Sequence, residues 1–284
     1  MDLDDNLRPL FSPVKRVNKN MVECITCKSQ SKLSAAELKK FPKLKLIIAR
    51  MVGVDTINLA YCKSHGIAVY HIPDYGTQEV AQHALALTLA GARYIPQSNE
   101  AVHGGRFSYE PFLGKSLTGK TVGVVGTGRI GSAFIKLLSP FGVHILAYDV
   151  IKNAPVPYVT LSELLKKSDV ISVHIPLLPS TRHLIGAREL ALMKQGSLLV
   201  NTSRGAIIDE KALVRCISKF WAVCLDVVEN EDKFTKSNPL LKFKNVIITP
   251  HIGFYTDDSI KRIVLETQKC IIKYTKGNKE GRII

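Results

Sequence analysis

From Lys120 onward, short and almost wholly apolar runs recur: TVGVVG (121–126), VHILAY (143–148), DVISVH (169–174), SLLVN (197–201), AVCLD (222–226) and NVIIT (245–249). Their length and their content of β-branched residues mark strands, and the lack of polar alternation marks strands covered on both faces. Amphipathic stretches lie between most of them: GRIGSAFIKLLSPF, TLSELLKKS, ARELALMK and DEKALVRCISKF. Thr160 and Glu163 have the spacing of a capping box at the head of the second stretch. Strands alternating with helices in this way predict a parallel sheet with helices on both faces. Only the connection VVENEDKFTKSNPLLKFK reads as mainly irregular.

The first part of the chain repeats the pattern on a smaller scale. MVECIT, KLIIA (45–49) and IAVYH (67–71) read as strands, and SAAELKKF and TINLAYCKSHG as helices. VAQHALALTLAGAR follows, too dense in alanine and leucine for a surface helix, so burial between domains is expected. Pro96 and the polar stretch QSNEAVHGGRF mark a crossing to a second domain, and the last helical pattern, DDSIKRIVLETQKCIIKYTKG, returns to the first. The expected organisation is therefore a discontinuous domain of residues 1–95 and 257–284 and a larger domain of residues 96–256. The class is α/β: a doubly wound parallel-sheet domain plus a smaller flavodoxin-like unit.

Composition narrows the function classes. The 284 residues are 46% apolar and 22% charged, an ordinary globular balance. No apolar run reaches the roughly 18 residues of a membrane span, and MDLDDNLRPL lacks a signal-peptide layout. A cytoplasmic protein without a membrane partner is expected. Lys and Arg number 39 against 24 Asp and Glu, a net charge of +15. The lysines are scattered and no nucleic-acid motif accompanies them, so a basic surface that attracts anionic substrates is the expected meaning, not nucleic-acid binding. Six cysteines without a signal peptide read as free thiols. Cys24 and Cys27 form a CxxC inside a strand, where period-two alternation turns them to opposite faces, so no metal site is expected.

GTGRIG, Gly126 to Gly131, follows a strand and opens a helix, the context that a dinucleotide fingerprint requires. Gly126 permits the tight turn, Gly128 lets a pyrophosphate approach the backbone, and Gly131 allows close helix–sheet packing. The free N–H groups of the helix N-terminus then face the phosphates. The next strand ends in Asp149, 18 residues beyond Gly131. A carboxylate there accepts both adenosine ribose hydroxyls and repels a 2′-phosphate, which favours NAD over NADP.

In such a sheet, ligands bind outside the carboxyl ends of the strands. The remaining ends give His174-Ile175-Pro176, then NTSRG with Arg204, then Asp226 followed by Glu231, then His251. With a strand order of 3-2-1-4-5-6 the last three strands are neighbours, which gathers Arg204, Glu231 and His251. The set suits hydride transfer at C2 of a 2-hydroxy or 2-oxo acid. His251 carries the proton of the attached oxygen, Glu231 favours its imidazolium form, and Arg204 grips the carboxylate with a planar fork. Each residue alone has a structural alternative: a strand-end histidine, a solvated glutamate in ENED, an arginine paired with Asp209 or Asp226. Their joint placement beside a nucleotide fingerprint favours chemistry.

ARMVGVDTIN, EVAQHALALTLAGAR, LTGKTVGVVGTGRIG, HIPLLPSTRHLI, LVNTSRGAIIDEKAL, LDVVENE and TPHIGFYT together resemble the D-isomer-specific 2-hydroxyacid dehydrogenases. The resemblance implies a Rossmann nucleotide domain and a substrate domain with the active site in the cleft between them, and homodimers formed through the nucleotide domain. The family's catalytic set falls on Arg204, Glu231 and His251. Its cofactor positions fall on Arg129, Ile130, Asp149, Ile175, Pro176, Thr181, Thr202, Ser203, Arg204 and Asp226, besides the three glycines. The backbone N–H groups of Val52 and Gly53 would meet the substrate carboxylate. PDYG (73–76) and HIGFYT are similar to the D-lactate dehydrogenase branch, with Tyr75 and Phe254 as aromatic walls for a small apolar side chain. Alternatives within reach of the same motifs are a glyoxylate or hydroxypyruvate reductase, and a non-catalytic NAD(H)-sensing protein of corepressor type. Two departures stand out. About 20 residues replace the strand and helix that usually precede MVECIT, and Gln82 stands where the family usually has glutamate.

Overall fold

The computed structural model describes residues 18–28 and 31–284. Residues 1–17 lie outside them, and with those residues the expectation about the short leading segment. The chain divides into two compact units: residues up to Pro73 with Ile263–Ile284, and Asp74–Arg262.

The first unit contains β1 (Cys24–Cys27), α1 (Ala35–Leu38), β2 (Leu46–Ala49), α2 (Leu59–Ser64) and β3 (Ala68–His71). All pairing is parallel and the order is β1-β2-β3. That is a sequential run, without the reversal of a flavodoxin-like order among the described residues. Period-two alternation sorts the side chains cleanly. Ile47, Ala49, Val69 and Cys27 pack with Leu38 and Cys62 on one face. Leu46, Ile48, Ala68 and Tyr70 pack on the other with Cys270 and Tyr274 of α9 (Asp257–Thr275). The residues after α9 finish this unit. Ile283 N–H donates to Val69 O at 2.7 Å and the Tyr70 hydroxyl to Asn278 O at 2.6 Å. The six thiols are free; Cys24 is exposed and Cys27 buried, and burial pushes the Cys27 thiol up to about 11.

The second unit holds α3 (Thr77–Arg93), α4 (Ile95–His103), β4 (Thr121–Val125), α5 (Arg129–Leu138), β5 (His144–Tyr148), α6 (Leu161–Lys167), β6 (Val170–Val173), α7 (Ala187–Leu192), β7 (Leu198–Asn201), α8 (Glu210–Cys216), β8 (Ala222–Leu225) and β9 (Val246–Ile248). Its six parallel strands run β5-β4-β6-β7-β8-β9. Val122, Val124, Val200 and Cys224 pack under α5 and α3, through Phe134, Leu138, Ala81, Ala84 and Leu87. Val125, Ile171, Val173, Leu199 and Leu225 pack under α6, α7 and α8, through Leu164, Leu190 and Leu213. Both faces are thus covered, as continuous apolar strands require. Gly91 lets α3 press on β8, since a Cβ there would stand 2.7 Å from Cys224 Sγ.

Two expectations need correction. Numbered within this sheet, the strand order is 2-1-3-4-5-6 rather than 3-2-1-4-5-6. The third run, β6, lies between β4 and β7 instead of at the outer edge, and beyond β5 the chain adds one parallel bridge, Ala147 to Tyr158. Pro155 and Pro157 both precede Tyr158 and cannot donate ladder hydrogen bonds, so pairing does not extend in that direction. The neighbourhood of β7, β8 and β9 is unaffected. The polar stretch after Pro96, read as a crossing, is instead mostly helix α4, with Pro96 in its first turn, where its missing N–H costs nothing. No helix among the described residues is long and apolar enough to cross a membrane.

Candidate active site

The expected site residues other than Val52 and Gly53 all lie in the second unit, most of them at the carboxyl ends of its strands. Gly126 adopts φ +99°, and a Cβ there would meet His174 and Ile175 within 2.8 Å. At Gly131 a Cβ would stand 2.0 Å from Gly126 O, so helix and turn close directly on each other. Gly128 has nothing within 4 Å of its Cβ direction and caps α5 without any side-chain bond. The first N–H groups of α5 therefore remain open to an anion. A cavity of about 830 Å³ lies over this turn, lined by Thr127, Gly128, Arg129, Ser132, Lys136 and others. Ile130 points the other way, into the core.

Asp149 directly follows β5 and faces the same turn. Its Oδ2 accepts the Thr127 N–H at 2.6 Å and the Thr127 hydroxyl at 3.2 Å; its Oδ1 accepts Ile151 N–H at 3.1 Å. Tyr158 donates its hydroxyl to Thr127 Oγ1 at 2.8 Å. Three of the carboxylate's four lone-pair sites are then taken, and the remaining one, on Oδ1, is open to a ribose hydroxyl. Thr127 and Tyr158 were not singled out in the sequence: the first sits inside the glycine motif, the second in the missed edge segment.

After β6, Ile175 closes on Gly126, Pro176 is exposed, and Thr181 folds the following turn by donating to Pro176 O at 2.7 Å while accepting Leu178 N–H at 2.8 Å. His174 bonds Ser172 Oγ through Nε2 at 2.8 Å, while its Nδ1 is buried without a partner. Burial drives its imidazole down to about 3. After β7, the Asn201 side chain builds the NTSRG turn. It accepts Ser203 N–H and Oγ–H at 3.0 and 2.7 Å, and it donates to Arg204 O at 2.9 Å. Thr202 Oγ1 is buried with no protein partner, and Arg204 donates from Nη1 to Ser203 O at 2.9 Å. Gly205 is pinned against the next loop, where a Cβ would stand 2.0 Å from the Val228 carbonyl carbon. That contact binds the loop of Arg204 to the loop of Glu231.

Glu231 opens a 3₁₀ turn and holds His251 Nδ1 at 2.9 Å from Oε2, with both side chains half-buried. His251 adopts φ +57°, a backbone state that a non-glycine residue keeps only when its surroundings impose it. Asp226 imposes it. The carboxylate is 2% exposed and accepts Ile252 N–H at 2.9 Å and Gly253 N–H at 2.8 Å. Burial pushes this carboxyl up, but bonds from His83, Thr249 and the two N–H groups outweigh burial and hold it below the usual carboxylate value. Asp226, expected as a cofactor contact, is thus first a support for the histidine turn. His83, on α3, was not foreseen; its only sequence signal is a polar residue on a buried helix face.

Phe254 packs edge-on to both His251 and Tyr75, with ring centroids 6.3 and 5.7 Å apart. Tyr75 is 8% exposed, and burial pushes its phenol up against the opposing charge of Arg204. The two expected aromatic walls therefore join the histidine. Val52 and Gly53 lie in the first unit, after β2, where the Val52 carbonyl accepts from His71 Nδ1 at 2.8 Å. Gln82 is exposed.

An uncapped helix end over an open glycine, a carboxylate at the next strand end and an orphaned hydroxyl at Thr202 fit a dinucleotide. Comparison with known proteins agrees. Residues 85–253 match the model of the D-isomer specific 2-hydroxyacid dehydrogenase, NAD binding domain. D-3-phosphoglycerate dehydrogenase of Methanocaldococcus jannaschii is 39% identical over 263 residues, covering 88% of this chain, which spans only half of that relative's length. Hydroxypyruvate reductase of Thermotoga maritima is 38% identical, covering 89% of this chain and 84% of its own. The crystal structure of D-lactate dehydrogenase from Aquifex aeolicus, complexed with NAD and lactic acid, superposes with a TM-score of 0.87 at 40% identity, over 94% of this chain and 88% of that one. Motif, fold and relatives converge, and the chain belongs to the family of D-isomer specific 2-hydroxyacid dehydrogenases, with NAD as its cofactor.

Proposed function

We propose that this chain interconverts small D-2-hydroxy acids and 2-oxo acids, with D-lactate and pyruvate as the model pair. The observation that carries the reading is the 2.9 Å bond between His251 Nδ1 and Glu231, on the loops after neighbouring strands β8 and β9, at the same carboxyl edge of the sheet as the nucleotide turn. NAD, when bound, supplies or removes the hydride at substrate C2. Glu231 occupies Nδ1 of His251, which leaves Nε2 to give a proton to the substrate oxygen in reduction and to take one in oxidation. The Arg204 guanidinium binds the carboxylate and polarises the carbonyl. We extend the substrate role to the backbone N–H groups of Val52 and Gly53, and to Tyr75 and Phe254, whose rings favour a small apolar chain. The N–H groups of α5, with Arg129, take the pyrophosphate; Asp149 takes the adenosine ribose; Ile175, Pro176 and Thr202 border the rest of the cofactor. On this reading the second unit is the nucleotide domain and the first the substrate domain.

A second reading is favoured by relatives named as hydroxypyruvate and glyoxylate reductases, 38% and 37% identical. NADH oxidation with pyruvate, glyoxylate and hydroxypyruvate, repeated with NADPH, separates the two. Pyruvate is expected to give the highest kcat/KM with NADH. Preference for glyoxylate or hydroxypyruvate supports the second reading, and no turnover of any 2-oxo acid despite NADH binding refutes both.

We also propose a cytoplasmic homodimer. Six free thiols suit a reducing compartment. Phe107, Tyr109 and Leu113 stand 94%, 85% and 85% exposed on one stretch of the second unit, a cluster that a partner copy would cover.

A further inference from the structure

In the turn that carries His251, three backbone N–H groups donate to one buried residue, Asp226. His251 N–H donates to Asp226 O at 2.9 Å, and the next two N–H groups take the two oxygens of the Asp226 carboxylate. A carboxylate so deeply buried needs partners of its own. One is the Thr249 hydroxyl, which donates to Oδ1 at 2.6 Å. The other is His83, whose Nε2 lies 3.0 Å from Thr249 Oγ1 and 3.3 Å from Asp226 Oδ1. Thr249 has one proton, already given to Asp226, and an ionised carboxylate only accepts. Nε2 of His83 must therefore carry hydrogen and donate it to this pair. Gly253 makes room: a Cβ there would stand 2.9 Å from Asp226 Oδ2 and 3.3 Å from His83 Cδ2.

We propose that His83 is a positioning residue for the reaction, an N–H donor on α3 that locks Asp226 and Thr249 and so aims His251. This rests on the reading of His251 as the proton-transferring group. His83 touches neither His251 nor Glu231 through any described hydrogen bond; its effect passes through the turn. Small misplacements of a reacting group reach about 100-fold in rate.

The experiment compares His83→Leu, His83→Gln and His251→Ala, using pyruvate, glyoxylate and NADH. Glutamine places an amide N–H near the position of Nε2 but cannot act as an imidazole. In His83→Leu, kcat is expected to fall about 10- to 100-fold, with the KM of the 2-oxo acid and the NADH dissociation constant within about twofold of wild type by the same reasoning. His83→Gln should recover most of kcat. An unchanged kcat in His83→Leu, or a loss that His83→Gln does not restore, overturns the proposal. If His83→Leu does not fold, Thr249→Val removes the same link, and a wild-type kcat there overturns it equally. His251→Ala keeps the two ideas apart. Activity surviving in it refutes the reading of His251 itself, whereas its inactivity beside a fully active His83→Leu refutes the His83 assignment alone.

Discussion

His251 and Glu231 show how much two single residues can determine. Their bond leaves one imidazole nitrogen for chemistry, so His251→Ala should lower kcat for 2-oxo acid reduction by about 1,000-fold or more, on the scale of lost general acid–base catalysis. NADH binding, read by fluorescence titration, should stay within about twofold because the proposed cofactor contacts lie on other strand ends. Retained turnover would remove His251 from the mechanism. His174 has a different consequence. Its folded-state value, near 3, lies far below the ordinary 6.5. The unfolded chain therefore binds a proton at His174 between these values and the folded chain does not. This stabilising contribution is complete above about pH 6.5 and is lost as pH falls toward 3. Urea unfolding from pH 7 down to pH 4 should show stability falling, less steeply in His174→Phe; equal slopes would reject the assignment. The His251–Glu231 pairing was legible because strand ends collect ligand-facing residues in this architecture. His83 and Asn201 were not, because they act sideways, one from a helix and one by folding its own turn, and neither leaves a periodic mark.

Among the elements, the apolar runs located every strand of the large sheet to within a residue or two, and the Thr160–Glu163 box is present at the head of α6. Such strands are buried on both faces, so their sequences hold little else. The place of β6 was misjudged because apolar runs do not encode strand order, and the one-bridge segment beyond β5, preceded by two prolines, carries no pattern to read. The β5 end and the glycine turn act as one element: Asp149 holds the turn through Thr127 and keeps a lone pair on Oδ1 for the proposed ribose contact. Asp149→Asn should therefore cut the NADH-over-NADPH ratio of kcat/KM by about 10-fold, a loss of about 1.4 kcal/mol of discrimination. A ratio equal to wild type would show that the carboxylate does not read the ribose.

On the scale of the molecule, charge and exposed apolar area make separate demands. A net charge of +15 opposes self-association at low ionic strength, whereas Phe107, Tyr109 and Leu113 favour it. Sedimentation at about 0.15 M salt, where the Debye length is roughly 8 Å, is expected to show a dimer, and Leu113→Glu with Tyr109→Glu should shift it toward monomer. A wild-type monomer under those conditions would reject the assembly.

The split through α9 also orders events in time. Asp74–Arg262 is one uninterrupted run, while the first unit needs its opening strands and Ile263–Ile284 together. On the ribosome, the Asp74–Arg262 run can close its sheet before the earlier strands meet Cys270, Asn278 and Ile283, so the part made first is finished last. Until that tail emerges, β3 waits with Val69 and Tyr70 unpaired on one side, the interval in which a nascent chain is most open to chaperones or to a neighbour's strand.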